Sequence, residues 1–296
     1  MKYTGLTYRP PYEANSLLLQ VTSGCSHNRC AFCTMYRDVP FETETLEQVE
    51  ADLKEAQRYV PEIDRVFLEN GDPFCLPAER LLAIAEMIHR YLPRVDTVAM
   101  YASIRNIRQK TDQELKELRA AGINELNIGV ESGRDETLRR MQKGFTAEES
   151  LQALLRLKQA GIDYGANVIL GAGGAGNQKE NAIATAELLN AAKPYILFTG
   201  TMHPAKGCPL YEDLQSGVFK ENTFGEYLEE EKILFSHLDL DGCYYFGLHP
   251  SNVLRTRGWL NREKDRILSE IDRRREQLAP VLDQHPVRHG EGAILI

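Results

Sequence analysis

The sequence predicts an α/β fold: a partial barrel of six strand–helix units with a small C-terminal α/β extension. Three observations carry that expectation. From Asn15 onward, short apolar runs alternate six times with amphipathic stretches of helical period. Such alternation means a parallel sheet joined by right-handed crossovers, and six units fall short of the eight that close a barrel. No Pro/Gly/Ser-rich linker sets off the remainder, so residues 1–296 read as one domain, with a core over about 15–211 and an extension over about 212–296.

Taken in order, the strand candidates are Leu17–Val21, Val66–Leu68, Thr97–Ala102, Glu125–Val130, Ala166–Leu170 and Tyr195–Phe198. The first helix candidate places Leu46, Val49, Leu53, Ala56 and Val60 on one face at spacings of three and four. Further helical periods run from Pro77 to Leu92, Thr111 to Ala121, Thr146 to Ala160 and Gln178 to Ala192. Pro77 suits an early helical position, and Gly122 and Gly161 suit the residue just past a helix end. The extension offers a helix at Phe224–Leu238, a short CYYF strand and a last helix near Asn261–Leu278.

Composition narrows the function classes. The 35 Lys and Arg against 43 Asp and Glu give a net charge of −8, so nucleic acid is not expected as the main partner. No apolar run approaches the roughly 18 residues of a membrane span, and the opening MKYTGLTYRPPYEANS carries no signal-peptide stretch. The expected setting is the cytoplasm, where thiols stay reduced. There, three cysteines within nine residues point to metal rather than to disulfides.

Those cysteines are Cys25, Cys30 and Cys33, spaced C-x4-C-x2-C directly after the first strand. Three thiolates on one loop can enclose an iron–sulfur cluster while leaving one iron open to a chelating ligand. The same loop, with His27 as a fourth ligand, could instead build a structural zinc site.

The segment VTSGCSHNRCAFCTMY resembles the cluster loop of the radical S-adenosylmethionine (radical SAM) enzymes, although their usual spacing is C-x3-C-x2-C. Other landmarks follow at the strand ends. Glu69-Asn70-Gly71-Asp72-Pro73 is similar to the family's Gly-Gly-Glu-Pro motif. Gly129-Val130-Glu131-Ser132-Gly133 and the following LRRMQKGFT resemble the pattern shared by the coproporphyrinogen-oxidase-like and methylthiotransferase-like branches. The Val168–Gly171 strand end, His203-Pro204 and CPLY follow as further family landmarks, and the chain as a whole most resembles the coproporphyrinogen-oxidase-like and BchE-like branch. The resemblance spans about Asn15 to Tyr211 and implies a partial (β/α)6 radical SAM barrel.

The resemblance implies two cofactors: a [4Fe-4S] cluster on Cys25, Cys30 and Cys33, and S-adenosylmethionine chelating its open iron. One-electron reduction would then yield a 5′-deoxyadenosyl radical that abstracts hydrogen from substrate. It also implies roles for the pocket. Asn70, Gly71 and Asp72 would meet the methionyl ammonium, Phe32 would pack beside adenine, and Glu131 would meet ribose or the methionyl group. Lys143 would pair the methionyl carboxylate, Asn167 would contact ribose, and the backbone around Leu170 would face adenine. Ser103, after the third strand, is a further cofactor candidate. Independently of the family, a charge ending an apolar strand, as Glu131 does, needs a partner. The run Gly171-Ala172-Gly173-Gly174 lacks first-strand placement and is not read as a dinucleotide loop.

Cys75, Cys208 and Cys243 are far apart in sequence, which argues against a second cluster. Cys75 and Cys208 follow strand ends and are candidates for hydrogen donation to a substrate radical; otherwise they are buried apolar side chains. His249 is a further catalytic candidate, in CYYFGLHPSN with Tyr244, Tyr245 and Asn252 as possible pocket residues. The expected function is a radical SAM enzyme on a small organic or tetrapyrrole-like substrate, served by an electron donor such as flavodoxin or ferredoxin. Its alternatives are a tRNA- or protein-modifying radical enzyme and a non-catalytic haem- or cluster-trafficking protein.

Overall fold

The computed structural model describes residues 1–286. It begins its regular structure with β1 (Leu17–Gln20), followed by a two-residue antiparallel pair, β2 (Thr22–Ser23) with β3 (Glu42–Thr43). Helix α1 (Leu46–Tyr59) leads to β4 (Arg65–Glu69), α2 (Ala78–Tyr91) and β5 (Thr97–Ala102). Next come α3 (Ile104–Arg108), α4 (Asp112–Ala120), β6 (Ile123–Glu131), α5 (Asp135–Arg140) and α6 (Ala147–Ala160). Then follow β7 (Asp163–Leu170), α7 (Gln178–Ala192), β8 (Ile196–Thr201), α8 (Pro209–Gln215) and α9 (Phe224–His237). The chain ends its regular structure with β9 (Tyr244–Phe246), β10 (Arg257–Trp259) and α10 (Lys264–Gln277).

The six expected strands are all present and belong to a mostly parallel eight-stranded sheet, in the order β1-β4-β5-β6-β7-β8-β9-β10. The CYYF segment is β9, parallel to β8, and β10 pairs with it antiparallel. The helices begin where side chains can cap them. Thr45, Thr111 and Thr223 each accept a backbone N–H three residues on, and Thr111 and Thr223 complete capping boxes with Glu114 and Glu226. Pro77 precedes α2 as its N-cap instead of occupying its first turn. Gly122 and Gly161 end their helices at φ +85° and +77°, a region that glycine enters without steric cost. The short helices α3, α5 and α8 lie in segments that the periodicity leaves as loops; at five to seven residues they are too short to show a helical period.

The chain forms two units. The first comprises Met1–Asn28, Tyr36–Ile128 and Ala153–Tyr164; the second comprises Arg29–Met35, Gly129–Gln152 and the chain from Gly165 onward. Cys25 thus belongs to the first, and Cys30 and Cys33 to the second.

In the first unit, β4 sends Val66 and Leu68 to one face and Arg65, Phe67 and Glu69 to the other. Arg65 there bridges Glu13 at 2.6 Å and Glu125 at 2.5 Å, and the Phe67 ring meets Tyr101 edge-on at 5.2 Å. In the second unit, α7 packs along α9, and α9 along α10. A core cluster of Ala31, Met141, Ala172, Met202, Cys208, Leu210 and Phe219 seats the latter part of the cysteine loop.

Among the described residues, no helix is long and apolar enough to cross a membrane.

Candidate functional site

The cysteine loop is pinched at its base by the β2–β3 pair. Gly24 sits there at φ +67°, and a Cβ on it would lie 2.7 Å from the Val39 carbonyl oxygen. Only glycine closes the loop at this point. Cys25, Cys30 and Cys33 are half-buried.

In the first unit, the Asn70–Pro73 turn is built against the start of this loop. The Gly71 N–H donates to the Gly24 carbonyl at 3.1 Å. A Cβ on Gly71 would lie 2.7 Å from Tyr36 Cε2 and 2.8 Å from the Cys25 Cβ. Gly71 is therefore small because Cys25 and Tyr36 need the space. Both carboxylate oxygens of buried Asp72 are engaged: Ser26 Oγ donates to one and Asn106 Nδ2 to the other. Ser103 caps α3 by accepting the Asn106 N–H at 3.3 Å. Arg105 donates to His27 Nδ1 at 3.1 Å, which leaves the imidazole proton on Nε2 and opposes use of this ring as a metal ligand.

Several buried acceptors in this region have no donor among the described residues. Asn70 stands at φ +75°, and its Nδ2 donates to the Thr22 carbonyl at 3.0 Å while its Oδ1 has no donor. Both oxygens of fully buried Glu69 and the Oδ1 of Asn106 also lack donors. Burial pushes the Glu69 carboxyl up to about 7. Desolvated acceptors of this kind call for a donor-rich cation such as an ammonium group. Glu69 was not singled out from the sequence, although it ends an apolar strand just as Glu131 does. Cys75 lies in the Pro73–Cys75 turn, half-buried, its thiol pushed up to about 12 by burial and by Asp72.

In the second unit, the Ala31 N–H donates to the Met141 carbonyl and the Leu210 N–H to the Ala31 carbonyl, both at 2.9 Å. These bonds hold Cys30, Phe32 and Cys33 against the segment that carries Lys143. Glu131 ends β6 at φ +65°, and its carboxylate accepts from Lys143 Nζ at 2.8 Å. The two side chains are only 9% and 10% exposed. Gly129 makes room for this fold-back: a Cβ there would strike Glu131 Oε1 and lie 3.2 Å from Lys143 Nζ. The ammonium stands 5.8 Å from the Phe32 ring centroid and 5.6 Å from that of Phe145. Burial works against its charge, yet Glu131 and the sulfurs of Cys30 and Cys33 outweigh burial and hold Lys143 above the usual lysine range.

The remaining candidates separate by environment. Asn167 is half-buried on β7 and Leu170 is buried at its end. Cys208 is buried in the core cluster, where it packs as an apolar side chain. His249 stands over Phe198 at 5.9 Å, its Nδ1 2.6 Å from Ser251 Oγ. Ser251 and Asn252 tie this turn to the end of β8 through the Thr201 N–H (3.0 Å) and the Thr199 carbonyl (2.9 Å). Tyr244 stacks edge-on with Trp259, and Tyr245 is fully buried against Thr199 and Glu231. Among the described residues, no three His, Cys, Asp or Glu side chains gather tightly enough for a single metal ion.

Heme chaperone HemW of Bacillus subtilis (strain 168) is 23% identical over 188 residues, which is 63% of this chain and 49% of that protein. The 4′-phospho-dehydrooxetanocin synthase of Priestia megaterium is 26% identical over 167 residues, 50% of this chain and 22% of that protein. The chain therefore spans less than half the length of these two relatives. Among solved structures, methylornithine synthase (PylB) superposes with a TM-score of 0.55 at 18% identity, over 92% of this chain and 83% of that one. The Radical SAM superfamily profile matches residues 19–189, more than half of the sequence. The chain belongs to the Radical SAM superfamily.

Proposed function

We propose that the protein is a radical SAM enzyme that holds one [4Fe-4S] cluster on Cys25, Cys30 and Cys33 and uses S-adenosylmethionine to act on a small organic substrate. The buried Glu131–Lys143 pair beside Phe32 carries this reading: a desolvated charge pair next to the cysteine loop costs stability unless it serves a ligand. When bound, the cluster and S-adenosylmethionine supply one-electron reductive cleavage of the sulfonium and hydrogen abstraction from the substrate.

The chain's own residues bind and orient. In the first unit, Glu69 and Asn70 offer unpaired acceptors that suit the methionyl ammonium, while Asp72 fixes the turn that carries them. In the second, Lys143 keeps its proton and can meet the methionyl carboxylate, with Glu131 freed for hydroxyl or ammonium donors. Asn167 and Leu170 supply polar and apolar contacts for the adenosyl group. Phe32 presents an aromatic face. Cys75, which burial holds as a neutral thiol, and His249 remain the proposed catalytic residues. Flavodoxin or ferredoxin is the proposed electron donor and the cytoplasm the proposed location.

The test is anaerobic reconstitution, dithionite reduction and assay of 5′-deoxyadenosine, with and without cell extract. Absence of the nucleoside in both arms overturns the reading. Similarity to the heme chaperone favours a second reading, haem trafficking. It is distinguished by a Soret band on titrating the purified protein with haem.

A further inference from the structure

The peptide joining Leu170 to Gly171 is held from both sides. The Met202 N–H donates to the Leu170 carbonyl at 2.8 Å, and the Gly171 N–H donates to Glu230 Oε2 at 2.8 Å. Glu230 belongs to α9 and is fully buried. Its other oxygen accepts Asn181 Nδ2 at 2.8 Å, and Asn222 Nδ2 reaches Oε2 at 3.1 Å. One carboxylate thus satisfies three buried donors, which is the arrangement that offsets the cost of burying it.

Asn181, on α7, extends the network to the neighbouring strand end. Its Oδ1 accepts Ser132 Oγ at 2.7 Å and Thr137 Oγ1 at 3.0 Å. Ser132 Oγ in turn accepts the Arg134 N–H at 2.9 Å. Ser132 directly follows Glu131, whose left-handed backbone (φ +65°) is closed by the Ser132 N–H on the Val130 carbonyl at 2.8 Å. A non-glycine residue in that region persists only where its surroundings over-determine it. Here Asn181 and Glu230 supply the determination. Packing reinforces it: a Cβ on Gly171, at φ +79°, would strike the Tyr227 ring, one turn before Glu230 on α9, and the Tyr227 hydroxyl donates to the Met202 carbonyl at 3.1 Å.

Resting on the reading that Glu131 and the Leu170 end contact S-adenosylmethionine, we propose that Glu230 is a positioning residue for the cofactor pocket, fixing the β7 end directly and the β6 end through Asn181. Its neighbour Glu231 is an internal control. It is equally buried on the same helix, yet among the described residues its carboxylate accepts from Tyr245 alone, at 3.1 Å, and shares none of the hydrogen bonds of this network.

The experiment compares Glu230→Leu, Glu230→Gln, Asn181→Ala and Glu231→Leu in the full chain. S-adenosylhomocysteine affinity of the anaerobically reconstituted protein is read by calorimetry. Amide exchange over residues 129–136 and 168–174 is read by mass spectrometry without cofactors. Glu230→Leu should weaken binding at least tenfold, about 1.4 kcal/mol, and speed exchange in both segments. Glu230→Gln should stay within about threefold of wild type, because Asn181 can turn its amide over to meet the new donor. Asn181→Ala should speed exchange over 129–136 and leave 168–174 unchanged; it carries the test if Glu230→Leu does not fold. Glu231→Leu should alter neither readout. Equal affinities for Glu230→Leu and wild type, equal effects of Glu230→Leu and Glu231→Leu, or unchanged 129–136 exchange in Asn181→Ala would overturn the inference alone. Wild-type protein that fails to bind S-adenosylhomocysteine would overturn the function proposed above, and this inference with it.

Discussion

Lys143 reaches back twelve residues to donate to Glu131 at 2.8 Å, and the chain bends sharply on both sides to allow it. Gln142 and Gly144 flank the lysine at φ +55° and +75°, while Glu131 itself stands at +65°. The pair is thus made by three left-handed turns and one absent side chain, that of Gly129.

Gly129→Ala should break the pair without touching either charge. The added methyl would occupy the place of Glu131 Oε1, and overpacking of this kind costs about 1–3 kcal/mol. Lys143→Ala should cost more, about 3–5 kcal/mol, because it leaves a buried carboxylate unpaired. It should also weaken S-adenosylmethionine binding roughly tenfold to a hundredfold. Urea unfolding and calorimetry check both; a Lys143→Ala protein as stable and as tight-binding as wild type would refute both the pairing cost and the cofactor contact.

Glu69 should make the protein less stable as the pH rises. Its carboxyl is raised to about 7 in the folded state, above the ordinary value of 4.5, so the folded chain holds that proton more tightly than the unfolded one. The contribution is fully present below about pH 4.5 and is lost as the pH climbs through 7. Glu69→Gln should therefore gain on the order of 2 kcal/mol over wild type at pH 8.5, after allowance for solvent screening, and little at pH 5. Denaturation at the two pH values decides it, and an equal difference at both would show that the carboxyl is not the cause.

Gly71→Ala should act on the cysteine loop. Its methyl would press on Tyr36, on Cys25 and on the Gly24 carbonyl, the last being backbone that cannot turn aside. Stability should fall by about 1–3 kcal/mol, and iron uptake on reconstitution should fall with it. Full iron content in a destabilised variant would separate the loop from the turn.

The triple Cys25→Ala, Cys30→Ala, Cys33→Ala variant should retain almost no iron or sulfide, while Cys243→Ala should keep the full complement. Stoichiometric zinc in colourless wild-type protein would refute the cluster assignment. The Arg105–His27 contact already speaks against a zinc site that recruits His27.

Much of this was legible in the sequence because it depends on local order. The six apolar runs and the helical periods between them dictated β1, β4, β5, β6, β7 and β8 and their crossovers, since periodicity decides which face of each element is buried. The C-x4-C-x2-C spacing and the strand-end motifs were enough to place the chain in its superfamily. Distances between distant residues carry no such local signature. That Asp72 is consumed by Ser26 and Asn106, that Glu69 is buried with no donor, and that Cys208 packs into a core cluster were decided only by the tertiary structure. The same holds for Glu230, which lies sixty residues beyond Leu170 and meets Gly171 only because α9 packs along α7. A hydrophobic period fixes which face of a helix turns inward; which buried donor meets a given carboxylate depends on how the packed elements register against each other, and only the folded chain sets that register.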